Sequence, residues 1–311
     1  MKGRLLKGTA EFLAFIWATG TLVFILVRTV PGDPLVSLLG SRPRAQDIRR
    51  LRRSLRLDQP LFSQYVHFVG RLAILDLGDS LVDRRPVLRT ITKYLPNTAC
   101  LALAAMAITL LISLPLGVLA ARRKTGLWDT MVTIMAIGGL ATPSFLLALI
   151  LVMAFALQLK MFPVSGGGGI ECLVLPALTL GISLSAFLTR MVRTALREEA
   201  QRPYVLLARS KGLSEKRVYW RHIGRNALIP IVTLAGLQTG ALLGGTIIVE
   251  SVFSWPGIGT LLVTAVRQRD FPMIQGTVLV MASLYLLVNF LVDLSYSHLD
   301  PRTRHDRKRQ G

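Results

Sequence analysis

The chain has 311 residues, 52% of them hydrophobic, and a formal charge of +20. A soluble protein of this length would form about two domains, but the apolar residues fall in uncharged runs longer than the ~18 that mark a membrane helix, with no polar face for water. The lysines and arginines lie between those runs rather than on one basic domain, so the charge speaks of membrane orientation and not of nucleic-acid binding.

In chain order, Lys2, Arg4 and Lys7 precede a first apolar span at 12–30. It is too long for a signal-peptide core and no small-residue cleavage site follows, so it reads as a retained signal anchor. Residues 31–95 form a long segment rich in arginine. Ile48, Leu51 and Leu55 recur there at helical spacing, which predicts an amphipathic helix over 42–56, either solvated or resting on the membrane. Further spans are predicted at 97–121, 130–159, 172–189, 226–249 and 273–292. The third is longer than the ~20 residues a membrane needs, and Gly138, Gly139 and Pro143 inside it predict a kink.

Charge sets the expected orientation. Basic residues crowd the N-terminal tip, the loop at Arg122, Arg123 and Lys124, the stretch 190–225 and the C-terminal tail from Arg302. The alternate loops are poor in charge, so both termini are expected in the cytoplasm. Segment 31–95 is basic yet falls outside, which its length permits, since loops beyond ~60 residues translocate regardless of charge. The expectation is an all-α membrane protein of six transmembrane helices. It divides into a tip and first span (1–30), an extracytoplasmic segment (31–95) and a five-span core (96–311).

The stretch 197–230 is too long and too structured for a simple connector. Tyr204 to Ala208 supplies a small apolar helical face. Gly212 suits a left-handed helix cap, Ser214 an N-cap, and Lys216 to His222 a second helix. A helix–turn–helix beside membrane spans is a docking element, whereas a basic loop resting on lipid would explain the arginines but not this punctuation. Further on, Gly236, Gly240 and Gly244 form a small-residue ridge for close helix packing, and Gln238, Thr239 and Asn289 are polar groups expected to bond to neighbouring helices or, as the alternative, to line a path through the membrane. Trp255-Pro-Gly-Ile-Gly259 is a turn-rich stretch after Glu250. It reads either as an interfacial tryptophan anchor or as a lip at a pore mouth. Asp293, near the end of the last span, is expected to be solvated. Cys100 and Cys172 read as small buried hydrophobes, and the four histidines have no ligand spacing, so no metal site is expected. The chain contains no GxxxxGK[ST], GxSxG or HExxH motif, so it is not expected to bind ATP or to be an enzyme.

Tyr204-x3-Ala208-Arg-Ser-Lys-Gly212 followed by His222-x3-Asn226-Ala-Leu-Ile-Pro230 resembles the cytoplasmic EAA loop of ABC importer permeases. The resemblance is to the peptide/nickel branch, in the place of its first permease subunit, and it covers nearly the whole chain. Pro31-Gly-Asp-Pro34, Leu57-Asp-Gln-Pro60 with Gln64-Tyr65, Asp76-Leu-Gly78-Asp-Ser80, Leu95-Pro-Asn-Thr98, Pro115-Leu-Gly117, Glu250-Ser-Val-Phe-Ser-Trp-Pro-Gly-Ile-Gly259, Arg269-Asp-Phe-Pro272 and Asp300-Pro-Arg302 follow in order. The acidic residue that names the loop is absent, since Leu206 and Leu207 precede Ala208.

The resemblance implies a type I ABC importer permease fold in the inner membrane. It also implies a heterodimer with a second permease, two cytoplasmic ATPases that hold the ATP and magnesium, and an external solute-binding protein. Besides these partners, membrane lipid is expected, and no nucleic acid. On this reading Tyr204, Ala208, Arg209, Lys211, Gly212, Leu213, His222, Asn226 and Pro230 couple the chain to an ATPase through a loop at 194–225. Glu250, Trp255, Pro256, Gly257 and Gly259 form the external lip or pore. The short outer loop between Lys160 and Glu171 resembles that of nickel-type relatives, so nickel or a metal chelate is expected first and a di- or oligopeptide second. The competing class is an ion-coupled secondary transporter, which would need internal repeats and paired intramembrane charges.

Overall fold

The computed structural model describes residues 2–29, 52, 58–122, 134, 138–139, 141–166 and 169–299. The Pro31–Pro34 motif, the predicted 42–56 helix, most of 123–140 and the tail from Asp300 lie outside the described residues. Those described are helical throughout apart from turns and one isolated β-bridge, Asp79 to Pro86. Five helices are long and apolar enough to cross a membrane, and a shorter apolar helix runs over Ser144–Gln158.

The chain divides into two compact units. The first comprises residues 1–98 and 256–286, the second 99–255 and 287–311. In the first, α1 (Lys2–Thr29) is paired with α2 (Leu61–Ala73). Phe24 meets the rings of Tyr65 and Phe68 at 5.3 and 5.4 Å, and the Thr21 and Tyr65 hydroxyls share a 2.8 Å hydrogen bond. The sequence reading assigned no helix at 61–73. Its apolar positions are interrupted by polar ones, and it is the wall of α1 that gives the helix a partner. α3 (Val87–Arg122) starts in this unit and continues into the second. It is about 54 Å long at 1.5 Å per residue, well beyond the ~30 Å of a hydrocarbon core. It therefore begins ten residues before the predicted span at 97. α10 (Ile258–Gln268) and the first part of α11 (Phe271–Leu299) complete the unit.

In the second unit α3 lies against α5 (Ile170–Ala200) through glycines. A Cβ on Gly181 would come 2.6 Å from Ile108 Cγ2, and one on Gly117 would come 2.5 Å from Val192 Cγ1, so only glycine permits this approach. Thr109 Oγ1 lies 2.8 Å from the Ala105 carbonyl and 3.2 Å from that of Gly181. α5 also packs on α4 (Ser144–Leu151), which continues as a π-helical segment over Val152–Gln158, and on α8 (Arg225–Gly245). Leu103, Leu111 and Leu119 are exposed along α3, large apolar side chains that suit lipid better than water. Cys100 is exposed and Cys172 only half-buried, correcting the buried reading of both.

The predicted kink at 138–143 takes the form of a break. Pro143 is extended (ψ 138°) and serves as the N-cap of α4, since proline cannot donate back into a preceding turn. The fifth span also differs. α7 (Glu215–Arg217) passes through a π-helical segment, Val218–Gly224, directly into α8, so the predicted second helix and the span are continuous. Pro230 lies inside α8, and the span ends at Gly245 before a separate short helix, α9 (Ile247–Val252). α5 likewise runs on to Ala200, eleven residues past the predicted end of its span, because 190–200 retain good helix formers once the membrane is left.

Candidate functional site

The segment 199–226 is organised around one hydroxyl. α6 (Pro203–Ser210) starts with proline in its first turn, where a missing N–H costs nothing. It ends in a Schellman cap in which the Gly212 N–H reaches the Arg209 carbonyl at 2.9 Å and the Leu213 N–H reaches that of Ala208 at 3.4 Å. Gly212 has φ +75° and open space where a Cβ would be, so its glycine is required by the backbone alone. Ser214 occupies the N-cap of α7 but makes no side-chain cap bond.

Tyr204 then ties the two arms together. Its hydroxyl donates to the Glu199 carboxylate and accepts from Asn226 Nδ2 at 2.7 Å, with the His222 carbonyl 3.2 Å away. The end of α5, the start of α6 and the foot of α8 thus meet at one atom. Arg209 pairs with Glu215 at 2.9 Å across the turn. The Arg122 guanidinium lies 4.3 Å from the centre of the Tyr219 ring, and Arg197 Nη2 donates to the Ala120 carbonyl at 2.9 Å, fastening the end of α3 to the same region.

Val205, Ala208, Val218 and Ile223 are buried between the arms, whereas Leu206 (55% exposed) and Leu207 (57%) face outward, with Trp220 also exposed. The sequence reading missed Glu199, Leu206 and Leu207. The acid before Pro203 and the adjacent leucines were visible in the chain, but which leucine turned inward depended on where α6 came to lie.

The predicted lip is divided between the units. Glu250 and Trp255 belong to the second, and Pro256, Gly257 and Gly259 to the first. Glu250 is fully buried, its Oε1 accepting from Thr246 Oγ1 at 3.0 Å and its carbonyl from the Trp255 N–H at 2.8 Å. Trp255 is buried, so it is not placed as an interfacial anchor would be. In the first unit the Pro256 carbonyl accepts from Asn97 Nδ2 at 2.8 Å, and the Ile258 N–H donates to Thr98 Oγ1 at 2.8 Å. Two motifs 160 residues apart therefore close on one another. A second such pair is Ser80 with Asp270: the Ser80 hydroxyl donates to the Asp270 carboxylate, which also accepts from the Leu81 N–H at 3.2 Å and caps α11 at the Met273 N–H, 3.3 Å.

A Cβ on Gly236 would lie 2.2 Å from Val292 Cγ2. Gly240 is buried, and of Gly244 only the backbone is described. Thr239 bonds to the Ala235 carbonyl of its own helix at 2.8 Å, while Gln238 Oε1 and Asn289 Oδ1 are buried without a partner among the described residues. The expectation that all three bond to neighbouring helices is thus not met. A threonine hydroxyl is short enough to return to its own i−4 carbonyl, and the longer amides meet no donor among the described residues. The side chain of Asp293 lies outside the described residues.

Comparison with known proteins places this geometry. Residues 113–305 match the family described as the binding-protein-dependent transport system inner membrane component, and residues 4–102 match the N-terminal family of such membrane components. The glutathione transport system permease protein GsiC of Escherichia coli O6:H1 is 36% identical over 305 residues, spanning 98% of this chain and all of the relative. A protein of Brucella abortus (strain 2308) named as a candidate peptide transport system permease is 37% identical over 314 residues, again spanning 98% of this chain and all of that one. In fold, the chain is similar to a crystal structure of an amino acid ABC transporter with histidines (TM-score 0.56, 19% identity, 68% of this chain and 94% of the other). It is similar also to the inward-facing MetNI methionine ABC transporter (TM-score 0.54, 19% identity, 68% and 97%). The chain belongs to the inner membrane components of binding-protein-dependent transport systems: it is a multi-pass permease subunit of an ABC importer in the peptide/nickel family, and not itself the ATPase.

Proposed function

We propose that this chain forms half of a translocation pore for a short peptide and is driven through segment 199–226 by a cytoplasmic ATPase. The observation that carries the reading is the Tyr204 junction. A push on α6 is transmitted through Tyr204 and Asn226 to the foot of α8, which is continuous with α7. Leu206 and Leu207 are the apolar surface available to an ATPase groove. Tyr204, Ala208, Arg209, Lys211, Gly212, Leu213, His222, Asn226 and Pro230 hold that element in shape. Both termini and this segment are assigned to the cytoplasm, with six spans in all: the five long helices and one completed by Ser144–Gln158. The blocks 1–30, 31–95 and 96–311 are kept as the division relative to the membrane.

The complex is read as this permease, a second permease, two ATPases and an external binding protein. Gln238 and Asn289, with unmet amide oxygens, are assigned to the path or to the partner permease. The substrate preference moves from nickel or a metal chelate to a peptide of glutathione type, because the relatives carry glutathione and peptide in their names. Secondary transport is not favoured, since the relatives belong to ATP-driven systems.

Reconstitution of the full complex tests the reading. Uptake of glutathione or a short peptide should require ATP and the binding protein. Uptake by this chain alone, driven by an ion gradient, would sink it. Calorimetry on the binding protein decides the cargo: tight binding of nickel and no binding of peptide would reverse the choice of substrate.

A further inference from the structure

The first unit holds a cavity of about 290 Å³ that the transport reading leaves unused. Its wall includes Arg28, Gln64, His67, Asp79, Gln275 and Leu279. Arg28 sits in the last turn of α1, at the end of an apolar span. Its Nε donates to Gln64 Oε1 at 3.1 Å and its guanidinium lies 3.6 Å from the centre of the Phe24 ring, yet no carboxylate among the described residues pairs with it. Gln275 is 9% exposed, and its Nε2 meets no acceptor among the described residues. The neighbouring Arg71 is already satisfied by both oxygens of Asp76, at 2.9 and 3.0 Å. The cavity thus offers one uncompensated cation and one orphaned buried donor, both suited to an anion.

Its position selects the kind of anion. α2 runs back along α1, so that Phe68 and Leu72 approach Gly20, about 12 Å before Arg28 along the helix. The cavity therefore lies alongside a membrane span. Ile25, Leu26, Phe62 and Val66 are exposed on the two helices that flank it. A charged head with an apolar tail matches charge on the wall beside exposed apolar surface. Asp79 also lines the cavity without a cation partner among the described residues, which suits an amine beside the phosphate.

We propose that this cavity binds the headgroup of an ethanolamine phospholipid, with Arg28 and Gln275 on the phosphate and Asp79 on the amine. The inference does not depend on the coupling role of segment 199–226. The experiment uses the full complex in nanodiscs of phosphatidylethanolamine and phosphatidylglycerol in equal parts, followed by detergent release and native mass spectrometry of this subunit. The wild type should retain phosphatidylethanolamine in preference to phosphatidylglycerol. Arg28→Gln should lower retention at least about tenfold, the factor implied by loss of one charge-assisted hydrogen bond. Gln275→Leu, which replaces the orphaned amide by an apolar group of similar size, should lower it in the same sense and covers the case in which Arg28→Gln does not assemble. Equal retention in the wild type and the assembled variants overturns the proposal. So does retention without preference between the two lipids. Release of the lipid by millimolar inorganic phosphate would reassign the cavity to a free anion and overturn it as well.

Discussion

At the scale of single residues, Gly212 and Tyr204 make the sharpest predictions. Gly212 needs its positive φ and nothing else, because no atom lies within 4 Å of where a Cβ would be. Gly212→Val should therefore cost roughly 1–2 kcal/mol through backbone strain, whereas Gly212→Asn, which tolerates the left-handed region, should be milder. Transport per ATP hydrolysed in the reconstituted complex should fall in the order glycine, asparagine, valine; a valine variant equal to wild type would refute the role of the cap. Tyr204→Phe leaves the Glu199 carboxylate and the Asn226 amide short of a partner, at about 1–3 kcal/mol. The expected outcome is a lower melting temperature together with ATP hydrolysis that no longer drives uptake. Unchanged coupling would show that the hydroxyl merely fills space. Ala208, which the sequence presents as part of a contact surface, is buried inside the chain. A charge there would disturb the segment's own packing before it touched any partner.

Among elements, α6 and the clamp before α3 respond to different tests. Leu207→Asp puts a charge on the outward face of α6 without entering the core. It should leave the permease folded and abolish co-purification with the ATPase subunits. Retention of those subunits would move the docking face elsewhere. The clamp after α2 is electrostatic. The hydrogen bonds from Arg71, and next that from the Gly78 N–H, hold the Asp76 carboxyl below its usual range. A carboxyl depressed in the native state stabilises above its unfolded pKa of about 4, and that contribution fades as pH falls through the native value. Amides 74–79 should therefore show lower protection, after correction for the intrinsic exchange rate at each pH, at pH 3 than at neutral pH, and Asp76→Asn should remove this difference. The change is small, because both partners are partly exposed to solvent, which screens the pair.

For the whole molecule, the spans were legible because the membrane imposes length and lack of charge on sequence directly. The continuous helix from Glu215 through α8 was not, since the sequence pattern ends the second helix at His222 and starts the span separately at 226. A π-helical segment and the neighbouring α5 carry the chain through instead. α2 was invisible for a related reason: its stability comes from α1, a partner far away in sequence. Motifs such as Asp76–Ser80 and Leu95–Thr98 were visible as fragments, but their pairing with Asp270 and with Pro256 and Ile258 was not.

By itself the sequence determined that the chain crosses a membrane, that segment 197–230 holds two helices joined by a turn and that Gly212 makes that turn. These follow from hydropathy, charge and local backbone preference, which act over a few residues. Only the tertiary structure decided that Tyr204 meets Asn226, that Leu206 and Leu207 rather than Ala208 face outward, and that Arg28 and Gln275 share a cavity. Those facts depend on which face of a helix a distant element covers, and no local pattern encodes that.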